Sequence, residues 1–247
     1  MNLGEELMKS LEIETAFTVT IAGHKIPVTE TVVVSWVAMA LLIIAALLVT
    51  RNLRRIPRGF QTLLEASIEF LNKFSKQQFG KRAKIFSPYI GTLFLFLLAA
   101  NILPAITPPF AFGKDPVFDI KPPTRDINVC AALALVSVLL MLSSGLAARG
   151  PGGWFKNLLS PIPVMLPFNL LEYIIRPLSL CLRLFGNILG GFIIMTLINV
   201  ALAGAIKFSL VIPIPLSLYF DFFDGFIQAL VFTFLTTLYV SEAVETE

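Results

Sequence analysis

Apolar runs long enough to cross a membrane recur along this chain, and they leave few folds open to it. Residues 31–50, 89–106 and 129–146 form runs of 18 to 20 residues, and the runs at 161–202 and 211–240 are longer. About twenty helical residues, rising 1.5 Å each, span a hydrocarbon core roughly 30 Å thick. Inside lipid the backbone must satisfy its own N–H and C=O groups, and unbroken apolar runs of this length do so as helices. Hydrophobic residues make up 56% of the chain and charged residues 14%, with a mean hydropathy of +0.83, which excludes an ordinary soluble domain. The expected fold is an all-α integral membrane protein: five transmembrane helices, an amphipathic helix on the cytoplasmic surface, and a long tilted hairpin made by the last two helices. Residues 1–30 are expected outside the membrane, with 31–247 as a single transmembrane domain.

Charge sets the expected orientation. Nine of the nineteen Lys and Arg fall between Arg51 and Lys84, against Glu65 and Glu69 only. By the positive-inside rule that segment is cytoplasmic, so the N-terminus lies outside and, after five spans, the C-terminus lies inside. Within it Phe60, Leu63, Leu64, Ile68, Leu71 and Phe74 recur at helical spacing, the pattern of a helix lying on the membrane surface. The Pro-rich stretch 104–123 reads as an outer loop, with 149–156 inside and Lys207 outside. Residues 17–28 alternate apolar and polar around Ala22, Gly23 and His24, as a small hairpin outside the membrane does. Residues 1–25 are polar and acidic, so no cleavable signal is expected. Cys130 and Cys181 lie in apolar segments and read as packing residues. His24 has no second histidine or thiol nearby, so no metal site is expected, and no cofactor.

One residue does not belong in such a chain. Arg183 sits inside the 161–202 run, where a guanidinium costs at least about 2.5–3.5 kcal/mol near the bilayer centre, and no acid of its own helix lies one turn away. Guanidinium stays protonated at any biological pH, so Arg183 carries no protons; it presents a fixed positive charge. Glu172, Arg176, Ser179, Arg183, Asn187 and Gly190 step by three or four and share one helix face. Asp221, Asp224 and Gln228 repeat the pattern in the last run, where carboxylates at membrane depth face water or a partner. For Glu172 and Arg176 a local i,i+4 ion pair and a functional role both fit, as interhelical hydrogen bonding does for Ser179 and Gln228.

These residues resemble a known family. Arg183-Leu-Phe-Gly-Asn187 preceded by Pro177-Leu-Ser-Leu, with Gly91-Thr-Leu-Phe-Leu-Phe, Arg125-Asp-Ile-Asn128 and Gly225-Phe-Ile-Gln-Ala229, is similar to subunit a of the F-type ATP synthase, over about 36–239. The resemblance implies a stator facing a ring of c subunits, with ions moving through two offset half-channels. It also implies b subunits of a peripheral stalk and an indirect link to the F1 catalytic sector, in a bacterial plasma membrane. Arg183 matches the essential arginine, Asn187 the polar residue one turn on, and Gln228 the last-helix glutamine. Many members carry an acid or histidine nine residues after the arginine, where this chain has Phe192. Asp221, where the family often has histidine or glutamate, and Asp224 are then expected in the outer half-channel, and Glu172 in the inner one. Asp126 fits either the outer vestibule or a helix cap. Proton transport is the expected activity, with sodium as the alternative ion.

Other classes fit less well. No Gly-x-x-x-x-Gly-Lys-Ser/Thr run occurs, so ATP chemistry is expected on other chains and no catalytic site on this one. A secondary transporter using Arg183 to bind an anionic substrate is the alternative, but no second copy of the arginine motif marks an internal repeat. Asp221 and Asp224, three apart on one helix, are wrongly arranged for an aspartyl protease. No nucleic-acid partner is expected, only lipid and protein.

Overall fold

The structure is a computed structural model and describes residues 15–21, 24–51, 59–106, 122–159, 163–202, 215–216 and 218–244. It opens with a two-stranded antiparallel hairpin, β1 (Thr15–Ile21) and β2 (His24–Thr29), where alternation predicted one. The rest is helical. Five helical stretches among the described residues are long and apolar enough to cross a membrane, and the protein is an all-α membrane protein.

The first is α1 (Glu30–Arg51), a 22-residue run without Pro or Gly, whose terminal Glu30 and Arg51 complement the helix dipole. After 52–58, which lie outside the described residues, α2 (Phe60–Phe79) follows. It stops at Gly80, whose φ of 55° suits glycine alone, and the chain re-enters through a 3₁₀ turn into α3 (Ala83–Ile106). Of the expected outer loop, 107–121 lie outside the described residues. A 3₁₀ turn, Pro123–Arg125, leads into α4 (Ile127–Leu158). The segment 149–156 is helical. Gly150, at φ 70°, breaks the backbone, and Pro151, whose missing N–H costs nothing at a first helical position, starts the next turns.

The fourth long run is one helix, α5 (Leu166–Leu202). Its 37 residues continue through Pro177, which removes the N–H that would bond the Tyr173 carbonyl but does not end the helix. At about 1.5 Å per residue α5 exceeds the bilayer by far, so it must tilt or project. Residues 203–214, with Lys207 and Pro213, lie outside the described residues. The last stretch begins as a π-helix, Leu218–Asp224, and becomes regular at α6 (Gly225–Val244).

Two compact units divide the described residues, cutting across the helices. One takes its residues from Met1–Leu42, Phe96–Val129 and Arg183–Ala229 and buries a polar set: Thr31, Ser35, Asn101, Thr124, Arg125, Asp126 and Gln228. The other, from Ile43–Leu95, Cys130–Leu182 and Leu230–Glu247, packs Phe79, Ala83, Phe86 and Ile90 with Met141, Val240 and Val244. Phe74 stacks on Phe234 there with ring centroids 3.9 Å apart. Cys130 and Cys181 are buried.

In the second unit a Cβ on Gly145 would lie 3.4 Å from the Ala243 carbonyl oxygen and 3.6 Å from the Trp154 ring. One methyl fits; a branched side chain does not. Gly145→Ala is therefore expected to keep native stability, while Gly145→Leu loses about 1–3 kcal/mol by heat denaturation in detergent.

Candidate functional site

In the first unit α5 carries Arg183 on an exposed surface. Leu184 beside it is fully buried, so the helix has a packed side and a side that bears the charge. Among the described residues Arg183 pairs with no carboxylate; both ion pairs belong to Arg176. One turn further on, Asn187 is half-buried and its Nδ2 donates to Asp224 Oδ1 at 2.8 Å. The same Nδ2 lies 3.5 Å from Gln228 Oε1. Gln228 is 3% exposed, and its Nε2 has no hydrogen-bond partner among the described residues. Asp221 falls in the π-helix, one residue after Phe220, but its side chain lies outside the described residues.

Glycine permits this approach. A Cβ on Gly191 would meet the Phe220 ring at 3.1 Å, tighter than ordinary contact, so glycine lets the π-helix come this close without the ring giving way. Gly191 lies one turn after Asn187, and Phe220 one turn before Asp224. The close contact and the Asn187–Asp224 bond are thus successive rungs of one antiparallel pairing.

Three consecutive residues after Pro123 hold this unit together, each gripping a different helix. Thr124 Oγ1 donates to Asn101 Oδ1 on α3 at 2.7 Å. The Arg125 guanidinium lies over the Phe192 ring on α5, 3.8 Å from its centroid. Asp126 accepts from Thr31 Oγ1 on α1 at 2.9 Å and from the Asn128 backbone N–H at 2.9 Å. Asp126 is thus an N-cap of α4, one of its two expected roles. Phe192, which relays no proton, is the seat of a buried cation.

The second unit gathers charge at the end of α6. Arg176 Nη2 lies 3.0 Å from Glu172 Oε2, the expected i,i+4 pair, and Nη1 lies 2.8 Å from Glu242 Oε2. Its guanidinium also sits over Tyr239, 4.8 Å from the ring centroid. Arg149 Nη2 donates to the Glu242 carbonyl at 3.3 Å and Arg82 Nη1 to the Val244 carbonyl at 2.8 Å. Cations on the last carbonyls of a helix satisfy its unpaired acceptors and its dipole together. Ser179 is half-buried on the face that carries Arg176 and Arg183.

The structure therefore brings Asn187, Asp224 and Gln228 together, and Glu172 with Arg176. Sequence reasoning missed Thr31, Asn101, Thr124 and Glu242 as partners. Asn101 did carry a signal, as a lone amide inside an apolar helix. Thr31→Val, which strips a donor from an Asp126 only 1% exposed, is expected to cost about 1–3 kcal/mol by heat denaturation. Thr50→Val, which loses an exposed local bond to the Ala46 carbonyl, is expected to change little.

A family model described as ATP synthase A chain matches residues 32–241. That span holds all five long apolar helices apart from their extreme ends, along with Arg183, Asn187, Asp224, Gln228 and the Pro123–Asp126 turn. A fixed charge on an apolar helix, one turn from an amide bonded to a carboxylate, is thus set in a chain that belongs to the ATP synthase A chain family, the ion-translocating membrane subunit of that machine.

Proposed function

We propose that this chain is the stator past which a ring of c subunits turns, and that it provides two aqueous half-channels for protons. The observation that carries the reading is Arg183, exposed on an apolar helix and paired with no carboxylate among the described residues. A charge that cannot be discharged, and that no neighbour of this kind neutralises, suits a partner that brings its own carboxylate. An opposite charge within about 4–6 Å favours the ionised form of a carboxyl. A ring carboxylate arriving from lipid at Arg183 would release its proton on one side and need another before re-entering lipid. The same charge would repel a cation taking a direct path between the half-channels, strongly so in low dielectric.

On this reading Asp221 and Asp224, with Asn187 and Gln228, line the outer half-channel. Glu172, Arg176 and Ser179 line the inner one, consistent with the charges gathered where α6 ends. The positive-inside count supports an N-terminus outside and a C-terminus inside a bacterial plasma membrane, with residues 1–30 outside and α2 lying along the inner surface. The last two helices form a slanted hairpin along the ring, in keeping with the length of α5. Peripheral-stalk b subunits hold the chain still against the F1 sector, where the nucleotide chemistry takes place. Each charge crossing releases about 2.3 kcal/mol per 100 mV, so one ATP takes several protons and a rotating collector of charges is needed.

ATP-driven uptake into inverted membrane vesicles, with protons and sodium followed separately, tests this. Native complex is expected to pump protons, and Arg183→Ala to assemble normally but pump nothing measurable. Normal pumping by an intact Arg183→Ala complex would refute the stator role. Sodium uptake in place of proton uptake would keep that role and reassign the ion.

A further inference from the structure

The π-helix at Leu218–Asp224 ends where α6 begins, at Gly225, and Asn101 of α3 meets the chain at that junction. A Cβ on Gly225 would lie 3.0 Å from the Asn101 Cβ, so the Asn101 side chain packs directly on the bare backbone of Gly225. Asn101 Nδ2 donates to the Gly225 carbonyl at 3.4 Å, and Thr124 Oγ1 donates to Asn101 Oδ1 at 2.7 Å. The Gly225 carbonyl can only accept, so the Nδ2 end of the amide faces it and the Oδ1 end faces Thr124. Asn101 is 4% exposed and Thr124 fully buried, so neither side chain has solvent as an alternative partner.

We infer that Asn101 is a positioning residue for ion transfer: it clamps the junction between π and regular helix, and so holds Asp224 against Asn187 and fixes the rotational phase of the π segment that precedes it. A π-helix pairs i with i+5 and advances less around its axis per residue than an α-helix. Residues before the junction are therefore rotated relative to those after it. Asp224 is the last π residue and Gln228 lies one turn on through regular helix, so the two share a face that a single Asn187 nitrogen reaches, at 2.8 and 3.5 Å. Were the segment to relax into regular helix, the residues before the junction would turn about the axis relative to Asp224 and Gln228 and carry Phe220 off Gly191, the rung beside the Asn187–Asp224 bond. The clamp stands one residue from Asp224, at the point about which the segment would turn.

The inference rests on Asp224 acting in the outer half-channel, and the test separates the two. ATP-driven proton uptake, divided by the amount of assembled ATP synthase in the same vesicles, is compared for native, Asp224→Asn, Asn101→Leu, Asn101→Ser and Thr124→Val. Asn101→Leu keeps the volume and loses the donor; it is expected to assemble and to lose roughly tenfold or more of its flux, since misplacing a reacting group by about 1 Å costs up to about 100-fold. Asn101→Ser, which keeps a donor, is expected to recover much of that loss. Thr124→Val, which frees the amide without altering the contact at Gly225, is expected to fall between them, and it carries the comparison if Asn101→Leu fails to assemble. Flux that falls only in step with assembled complex, or no recovery in Asn101→Ser, marks a purely structural residue and overturns the inference. Native flux in Asn101→Leu beside a blocked Asp224→Asn removes the inference alone. Native flux in Asp224→Asn removes the reading of the site and the inference with it.

Discussion

A guanidinium that can never be discharged, standing on a helix otherwise made for lipid, is the constraint around which this protein is arranged. Setting such a charge in lipid without a partner costs several kcal/mol, so a chain serving only as a membrane scaffold would pair Arg183 with an acid or replace it. Among the described residues several carboxylates are engaged elsewhere: Glu172 and Glu242 on Arg176, Asp126 on Thr31 and its own helix, Asp224 on Asn187. On the proposed reading, that pattern leaves the stationary charge available to a carboxylate of the turning ring.

Holding that charge in place falls to small and polar residues. Gly191 and Gly225 let neighbouring segments approach to within van der Waals contact, and the Pro123–Asp126 turn ties α1, α3, α4 and α5 through one side chain each. Association between helices in lipid gains nothing from hydrophobic burial, because the tails are as apolar as leucine. Close packing and hydrogen bonds have to supply the specificity, and the buried polar residues of the first unit are where they do so.

The spans were legible because hydropathy over twenty residues is a property of composition alone, and α1 came within a residue of its expected ends. The third span was expected to end at 146, but helix runs on to Leu158 past a kink at Gly150, because Pro151 is well suited to a first helical turn. In the candidate site, the i,i+4 step from Glu172 to Arg176 gave their pairing, which depends only on one helix. The bond from Asn187 to Asp224 joins residues 37 apart, and that from Thr124 to Asn101 joins residues 23 apart, so both depend on how segments pack. The π register of Leu218–Asp224 was invisible for a different reason. It shifts the helical phase by less than the spacing of two acids and a glutamine can reveal.

The central claim is that Arg183 separates two water-filled paths that would otherwise join. Passive proton flux through the membrane sector alone, in liposomes with the ring cross-linked to this chain so that it cannot turn, measures that separation. The account predicts that the locked native sector is as tight as empty liposomes and that locked Arg183→Ala conducts. A locked Arg183→Ala sector as tight as native would contradict it.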